Sequence, residues 1–304
     1  MTALPDHVTI REVCLRDGLQ IEHPIPLSAK LELLEAVVAT GVREVEATAF
    51  VSPSKVPALA DAAALAAELP RLRQSHGVDF SALVASPGGA VRAVAAGMTS
   101  IEYVVSAADG HSHANVGRST AESIDLMADI ARIAHENDAT VEVIIATAWD
   151  CPFDGPTDPQ RVVDIATAAV EIGADRLAIA DTIGTTTPRR VTALIECLRP
   201  VLGDLPLGAH FHNTRGAGLA SAYAAVTAGV RRLDSSVGGL GGCPFAPGAS
   251  GNIATEDLVY MLRDSGIGVD VDLQAAIHAA DVARKAVGHD LPSALLRAGD
   301  RILS

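Results

Sequence analysis

Two histidines flank a phenylalanine in the run His210-Phe211-His212-Asn213. If that run closes a β-strand, alternation sends both imidazoles to the same face. Two imidazole nitrogens and one carboxylate suit a divalent cation. Asp17, inside Arg16-Asp17-Gly18, is the carboxylate best placed to join them, and Asn252 is available beside it. A bare H-x-H pair is more often two satisfied core histidines, so the metal reading depends on these segments meeting at one rim. Arg16, next to Asp17, supplies a fixed positive charge for a developing enolate or alkoxide. Glu46 stands in a run that reads as a buried strand. A buried carboxylate needs a partner, and Arg16 is the natural one. Glu46 then either acts directly or only orients Arg16. Cys243 lies among Gly238, Gly239, Gly241, Gly242, Gly248 and Gly251. Such a loop can approach a ligand closely and move as a lid, and a thiol there can shuttle a proton. The plainer reading is a phosphate-cradling loop with an incidental cysteine.

These residues act together only if the fold gathers them. Short apolar, β-branched runs alternate with alanine-rich helical runs along the chain. Eight runs read as strands: His7–Cys14, Arg43–Ala49, Asp79–Ala85, Ser100–Ser106, Thr140–Thr147, Arg176–Ala180, Leu207–His212 and Arg231–Val237. Between them, Leu27–Thr40, Thr120–Asn137, Pro159–Ile172 and Pro188–Val201 repeat apolar residues at three- and four-residue spacing, as amphipathic helices do. Glycines such as Gly41, Gly97, Gly173 and Gly229 stop helices shortly before strands, and Pro159 and Pro188 open others. Eight β/α units in 304 residues predict a (β/α)₈ TIM barrel. A doubly wound open sheet would place a glycine-rich phosphate fingerprint after the first strand, and the run after Cys14 is not one. Residues 1–304 read as one barrel domain, with 269–304 a helical C-terminal extension. In this fold the strand C-termini build the active site. Arg16-Asp17-Gly18, Glu46 and Thr48, Asp181-Thr182, His210–Asn213 and the Gly238–Cys243 run all fall there.

Composition narrows the partners. The net charge is −14, which disfavours general nucleic-acid binding because that needs basic patches. A few local cations would still suffice for the phosphates of a CoA ester. No uncharged apolar stretch of about 18 residues predicts a membrane span. The first residues, Met1–His7, do not read as a secretory signal, so the expected compartment is cytoplasmic. Cys14, Cys151, Cys197 and Cys243 are widely spaced and read as free thiols. Lysine is scarce, being confined to Lys30, Lys55 and Lys285. Only Lys55 follows a strand, which argues against a Schiff-base aldolase and against a metal held on a modified strand-end lysine.

Five stretches, Val8–Gln20, Glu44–Pro53, Asp181–Gly184, His210–Gly216 and Gly238–Leu258, resemble the 3-hydroxy-3-methylglutaryl-CoA lyase family, within the metal-dependent lyases and condensing enzymes that share an Asp-Arg-Glu barrel signature. The likeness runs over nearly the whole chain. Its glycine-rich Cys-Pro loop is specific to the lyase branch, whereas Arg-Asp-Gly and H-x-H are shared more widely. The resemblance implies Mg²⁺ or Mn²⁺ on Asp17, His210, His212 and Asn252, with Arg16 stabilising an enolate. It implies Cys243 in proton transfer, and Glu46 and Asp181 in support. Arg16, Thr182, Asp181 and Asn115 are the expected substrate contacts. The implied reaction cleaves 3-hydroxy-3-methylglutaryl-CoA to acetoacetate and acetyl-CoA in a metal-assisted retro-Claisen step, with leucine degradation as the family setting and a homo-oligomer, dimer or tetramer, as the assembly.

The chain also departs from that pattern. Cys14-Leu15 replace Gly-Pro, Ile21 replaces Asn, and Ser54-Lys55 replace Lys-Trp. Asn213 and Arg215 replace Asp and Tyr, and Asp109–Arg118 replaces a Lys-Lys-Asn stretch. These changes surround the substrate mouth more than the metal, so they bear on the acyl group. Arg215 or His113 is the expected substitute for lost basic contacts to CoA. Two alternatives stay in play: a lyase for a different 3-hydroxy-3-methylacyl-CoA, and a metal-dependent 4-hydroxy-2-oxo acid aldolase, against which the Cys243 loop speaks. A Claisen synthase usually needs an accessory domain for which this chain has little room. A non-enzymatic metal-binding barrel would not need Arg16, Glu46 and Cys243 together.

Overall fold

The computed structural model describes residues 4–242 and 251–301. Eight parallel strands close on themselves: β1 Thr9–Glu12, β2 Glu44–Phe50, β3 Asp79–Val84, β4 Ser100–Ser106, β5 Thr140–Ala146, β6 Arg176–Asp181, β7 Leu207–Phe211 and β8 Arg232–Ser235. Each strand pairs with its neighbour in sequence, and β1 pairs with β8 from Thr9↔Arg232 to Glu12↔Ser235. The chain is therefore the (β/α)₈ barrel that its periodicity predicts. Gly41 and Gly173 end their helices with φ of +90° and +74°, a backbone that glycine reaches without a Cβ penalty. Helices Thr255–Asp264, Leu273–Val287 and Ala294–Ala298 follow β8. Asp272 caps the second of these, its Oδ1 accepting from the Ala275 N–H at 2.8 Å. No helix among the described residues is long and apolar enough to cross a membrane.

Three local features differ from the sequence expectation. β1 stops at Glu12, and Cys14–Gly18 form one π-helical turn. The buried Glu12 carboxylate drives this: it accepts the backbone N–H of Cys14 and of Val237, both at 3.0 Å, and the Thr255 hydroxyl at 2.6 Å. Burial raises the Glu12 carboxyl to about 7, against those hydrogen bonds. Second, the helical run 120–137 breaks into Thr120–Asp125 and Met127–His135. Third, Asp150–Cys151 and Gly155–Pro156 form a small antiparallel hairpin that has no strand periodicity to announce it.

The barrel interior is the larger departure. Branched apolar side chains usually fill it, and the layer between strands and helices is indeed apolar, with Leu33, Ile101 and Val143 buried. Inside, however, Arg11 reaches from β1 across to β4, β5 and β8. Its Nη1 donates to Glu102 Oε1 and Glu142 Oε2, each at 2.6 Å, and its Nε and Nη2 donate to Asp234 at 2.9 and 2.7 Å. Arg232 joins Glu142 from β8. Buried charges persist only when paired and hydrogen-bonded. This network meets that requirement, and it couples the barrel floor to the catalytic end through Asp234.

Candidate metal centre and catalytic cavity

The Arg16-Asp17 pair sits in the π-helical turn after β1, π-turns being frequent at functional sites. The turn aims both side chains at the barrel mouth. Arg16 Nη1 donates to Asp17 Oδ1 at 2.7 Å and Arg16 Nε to Glu46 Oε1 at 2.5 Å. On β2 the register with β3 shifts between Glu46 and Thr48. Such a bulge re-aims side chains near active sites, and here Glu46 meets Arg16. Arg16 Nη2 makes no protein hydrogen bond among the described residues, and Arg16 lines the cavity above. Burial pushes the Glu46 carboxyl well up against the pull of Arg16, and the neighbouring Glu102 adds to the rise.

Asp17, His210 and His212 are all buried and offer one ligand atom each within 4.8 Å of one another. His212 Nε2 lies 3.4 Å and His210 Nε2 3.9 Å from Asp17 Oδ2. Those separations suit neighbouring ligands, because an octahedron with bonds of about 2.1 Å has edges of about 3 Å. The polar atoms test the fit independently. Among the described residues, both ring nitrogens of His212 and Oδ1 of Asn252 are buried without a hydrogen-bond partner. Such orphaned groups cost about 1–3 kcal/mol each, unless a ligand takes them up. Asn252 is brought there by backbone pairing with His212. Its Nδ2 donates to Asp17 Oδ2 at 2.8 Å and to the Leu240 carbonyl at 3.0 Å. Gly241, at φ +119°, is obligatory here, since a Cβ would stand 2.7 Å from Asn252 Nδ2. The donor set therefore fits a divalent cation.

Asp17 meets its role electrostatically. Burial pushes its carboxyl up, but Arg16, with His212 and His210, outweighs that and holds it well below the usual carboxylate range. Gln20 Nε2 also donates to Asp17 Oδ1, at 2.9 Å. His210 is set by Asp234, whose Oδ2 lies 3.2 Å from Nδ1. With the Nδ1 proton directed there, Nε2 carries the free lone pair, the usual arrangement behind a ligating imidazole. Asp234 in turn is held below the usual range despite burial, chiefly by Arg11. Asp234→Asn is expected to weaken Mn²⁺ binding about 10–100-fold, read by titrating folded variant with the ion. Unchanged Mn²⁺ affinity in a folded variant would remove Asp234 from the positioning of His210.

Above this cluster opens a cavity of about 1220 Å³, larger than the usual range for small-ligand pockets. Arg16, Gln20, Thr182, His210 and His212 form its floor, and Ile144, Ala146 and Ala180 an apolar wall. Lys55, Arg92, Asn115 and Arg118 line it further out. His111, on the same wall, is pushed down to about 4 by burial, with Nδ1 2.6 Å from the Ser106 hydroxyl.

The structure thus brings together Arg16, Asp17, Glu46, His210, His212 and Asn252, and places Thr182 and Asn115 in the cavity lining. Asp181 is not among the residues that line the cavity; its Oδ1 accepts the Thr185 N–H and its Oδ2 the Thr186 N–H, both at 3.0 Å, which ties down the loop after β6. Thr182 is partly committed too, accepting the Thr147 N–H at 2.8 Å. Arg215 stands outside the cavity wall as well, its Nη1 tied to the carbonyls of Ile183 and Gly184. His113 stands outside it as well. The basic groups are Lys55, Arg92 and Arg118. Cys243 lies outside the described residues. The sequence reading missed Gln20, Arg11 and Asp234. Only Gln20 left a signal, its three-residue offset from Asp17 on a helical turn.

Three comparisons place these features among known proteins. Residues 7–283 match the HMGL-like family model. The chain is 39% identical to (R)-citramalyl-CoA lyase of Chloroflexus aurantiacus, covering 96% of this chain and 95% of that protein. It is 36% identical to hydroxymethylglutaryl-CoA lyase of Bacillus subtilis, covering 95% and 96%. Its fold superposes on an HMG-CoA lyase of Acinetobacter baumannii, solved with coenzyme A and 3-methylmalate, with a TM-score of 0.91, 35% identity and all of both chains covered.

Proposed function

The chain belongs to the HMGL-like family and is a carbon–carbon lyase, and from that premise we propose that it cleaves 3-hydroxy-3-methylglutaryl-CoA to acetoacetate and acetyl-CoA. The observation that carries the proposal is the buried Asp17–His210–His212 cluster with Arg16 beside it at the floor of a cavity lined further out by cations. Lys55, Arg92 and Arg118 suit the phosphates of a CoA ester, and the apolar wall suits its pantetheine arm. Asp17, His210, His212 and Asn252 would hold Mg²⁺ or Mn²⁺. When bound, such an ion acidifies the substrate hydroxyl and polarises the carbonyl that forms from it.

The chain's own groups do the rest. A base in the Asp17–His210–His212 cluster takes the 3-hydroxyl proton. The C–O bond becomes C=O, and the bond from C3 to C2 breaks. Its electron pair moves into the thioester as an enolate, and acetoacetate departs. Arg16, anchored through Nε and Nη1, offers its unpaired Nη2 to the enolate oxygen. A preorganised charge of this kind stabilises the transition state more than the ground state. Glu46 holds the guanidinium in that pose. Cys243 is proposed to deliver the proton that turns the enolate into acetyl-CoA.

A second reading is favoured by the 39% identity to the citramalyl-CoA lyase. Citramalyl-CoA differs by a single methylene between carbinol carbon and carboxylate, and would release pyruvate. One methylene is worth only about 10–200-fold in specificity, so this difference rests on cavity shape. The two are separated by assaying acetyl-CoA release from both thioesters, with and without Mg²⁺. We expect kcat/KM for the glutaryl ester to lead by about tenfold or more, with activity dependent on the metal. The reverse order assigns the chain to citramalyl-CoA, and turnover of neither ester rejects both readings.

A further inference from the structure

A second cavity lies on the opposite face of the barrel, where the strands begin. Its volume is about 470 Å³, within the range of small-ligand sites. Its charged lining is Arg176, Arg199, Arg231 and Arg232 against the single carboxylate of Glu44. In a chain of net charge −14, four guanidiniums around one hollow run against the background. The fold gathers them from separate elements: Arg176 opens β6, Arg231 and Arg232 stand at the start of β8, and Arg199 lies in the last turn of helix Pro188–Leu202.

Their partners leave positive charge unspent. Arg232 is buried and bound to Glu142 behind it, with Glu44 Oε2 3.5 Å away in front. Arg176 Nη1 donates to the same Glu44 oxygen at 3.0 Å. Arg199 donates through Nη2 to the Ala228 carbonyl at 2.8 Å. Arg231 donates through Nη1 to the carbonyls of Val226 and Val230, at 3.2 and 3.0 Å. Among the described residues neither of these two meets a carboxylate. The carbonyl bonds use one terminal nitrogen of each and pin the side chain, leaving the rest of a planar fork that matches phosphate or carboxylate oxygens. Ile195, Leu202 and Pro206 supply an apolar side to the same hollow, which strengthens any charge interaction within it.

We propose that this basal cavity binds a small organic polyanion, a phosphate ester or di- or tricarboxylate, with its anionic head on Arg199, Arg231 and Arg176 and its carbon body against Ile195 and Pro206. Glu44 is the internal competitor for that head. Capping of the helix end at Val226–Ala228 explains the carbonyl contacts of Arg199 and Arg231. Arg176 and Arg232 converge on the same hollow through the shared Glu44, one carboxylate between two guanidiniums.

Calorimetric titration of the full chain with phenyl phosphate, inorganic phosphate and succinate, at ionic strength held constant with NaCl, tests the site. We expect saturable binding that weakens about tenfold or more in Arg199→Ser/Arg231→Ser and is unchanged in Lys55→Ala, which alters the opposite mouth. Glu44→Gln is expected to tighten binding by freeing Arg176, a gain that a purely structural role for these arginines does not produce. Binding indistinguishable from that of chloride, or binding lost in Lys55→Ala and retained in the double variant, overturns the proposal. A Glu44→Gln variant that folds yet binds no more tightly overturns the placement of the head on Arg176.

Discussion

Arg16→Gln is expected to leave a folded protein that binds its divalent cation normally and turns substrate over about 10²–10³ times more slowly, the usual loss on removing one preorganised charge-stabilising donor. The geometry separates the two properties. Arg16 touches Asp17 only through Oδ1, and Gln20 donates to that same oxygen. The face of Asp17 turned to His210, His212 and Asn252 is Oδ2. Glutamine keeps a donor and some bulk but loses the positive charge and the Nη2 directed to the cavity. The loss should fall on kcat more than on KM, because the charge acts where the enolate develops. Glu46, left without its cation, becomes a buried carboxyl next to Glu102; burial and that neighbour both favour its neutral form, so the fold is expected to survive. Stopped turnover measured beside Mn²⁺ titration decides the matter. Near-normal kcat would withdraw Arg16 from the chemistry, and lost Mn²⁺ binding would make it a metal-site residue.

Asp17→Asn is expected to be more severe and of a different kind. The substitution keeps the shape but removes the carboxylate that faces both imidazoles. Mn²⁺ affinity and turnover should fall together, turnover by about 10³-fold or more, since a Lewis acid contributes several kcal/mol and each 1.36 kcal/mol is a factor of ten. The amide would also place an NH₂ beside either Arg16 or Asn252 Nδ2, so one donor–donor clash persists in any orientation. Excess Mn²⁺ should restore part of the activity if the defect is one of affinity. Full activity in metal-stripped Asp17→Asn would show that the reaction does not use this cluster. Compared with Arg16→Gln, the pair of variants distinguishes loss of the metal from loss of the enolate's counter-charge.

Much of the architecture was legible because its causes are local. Short apolar, β-branched runs, helix-stopping glycines and helix-opening prolines recur along the chain, and each specifies its own element whatever lies across the barrel. The H-x-H spacing likewise sends both imidazoles to one side where β7 ends, and Arg16-Asp17-Gly18, in the turn after β1, places a charge and a carboxylate side by side. What stayed hidden depends on groups far apart in the chain. Arg11, Glu102, Glu142 and Asp234 are ordinary charged residues in their own segments, separated from one another by up to 223 positions, and only closure of the barrel makes them a network. For the same reason Asp234 could not be seen as the support of His210. Asp181 shows the same limit: its place at a strand end suggests a ligand contact, whereas its oxygens accept the backbone N–H groups of Thr185 and Thr186 just downstream and it lies outside the cavity lining. Residue types and spacing carried the class of chemistry, because metal ligation and enolate stabilisation need particular donors. Tertiary packing set the partners, the cavity and the basal arginine cluster, because those arise from distances between strands that no local pattern encodes.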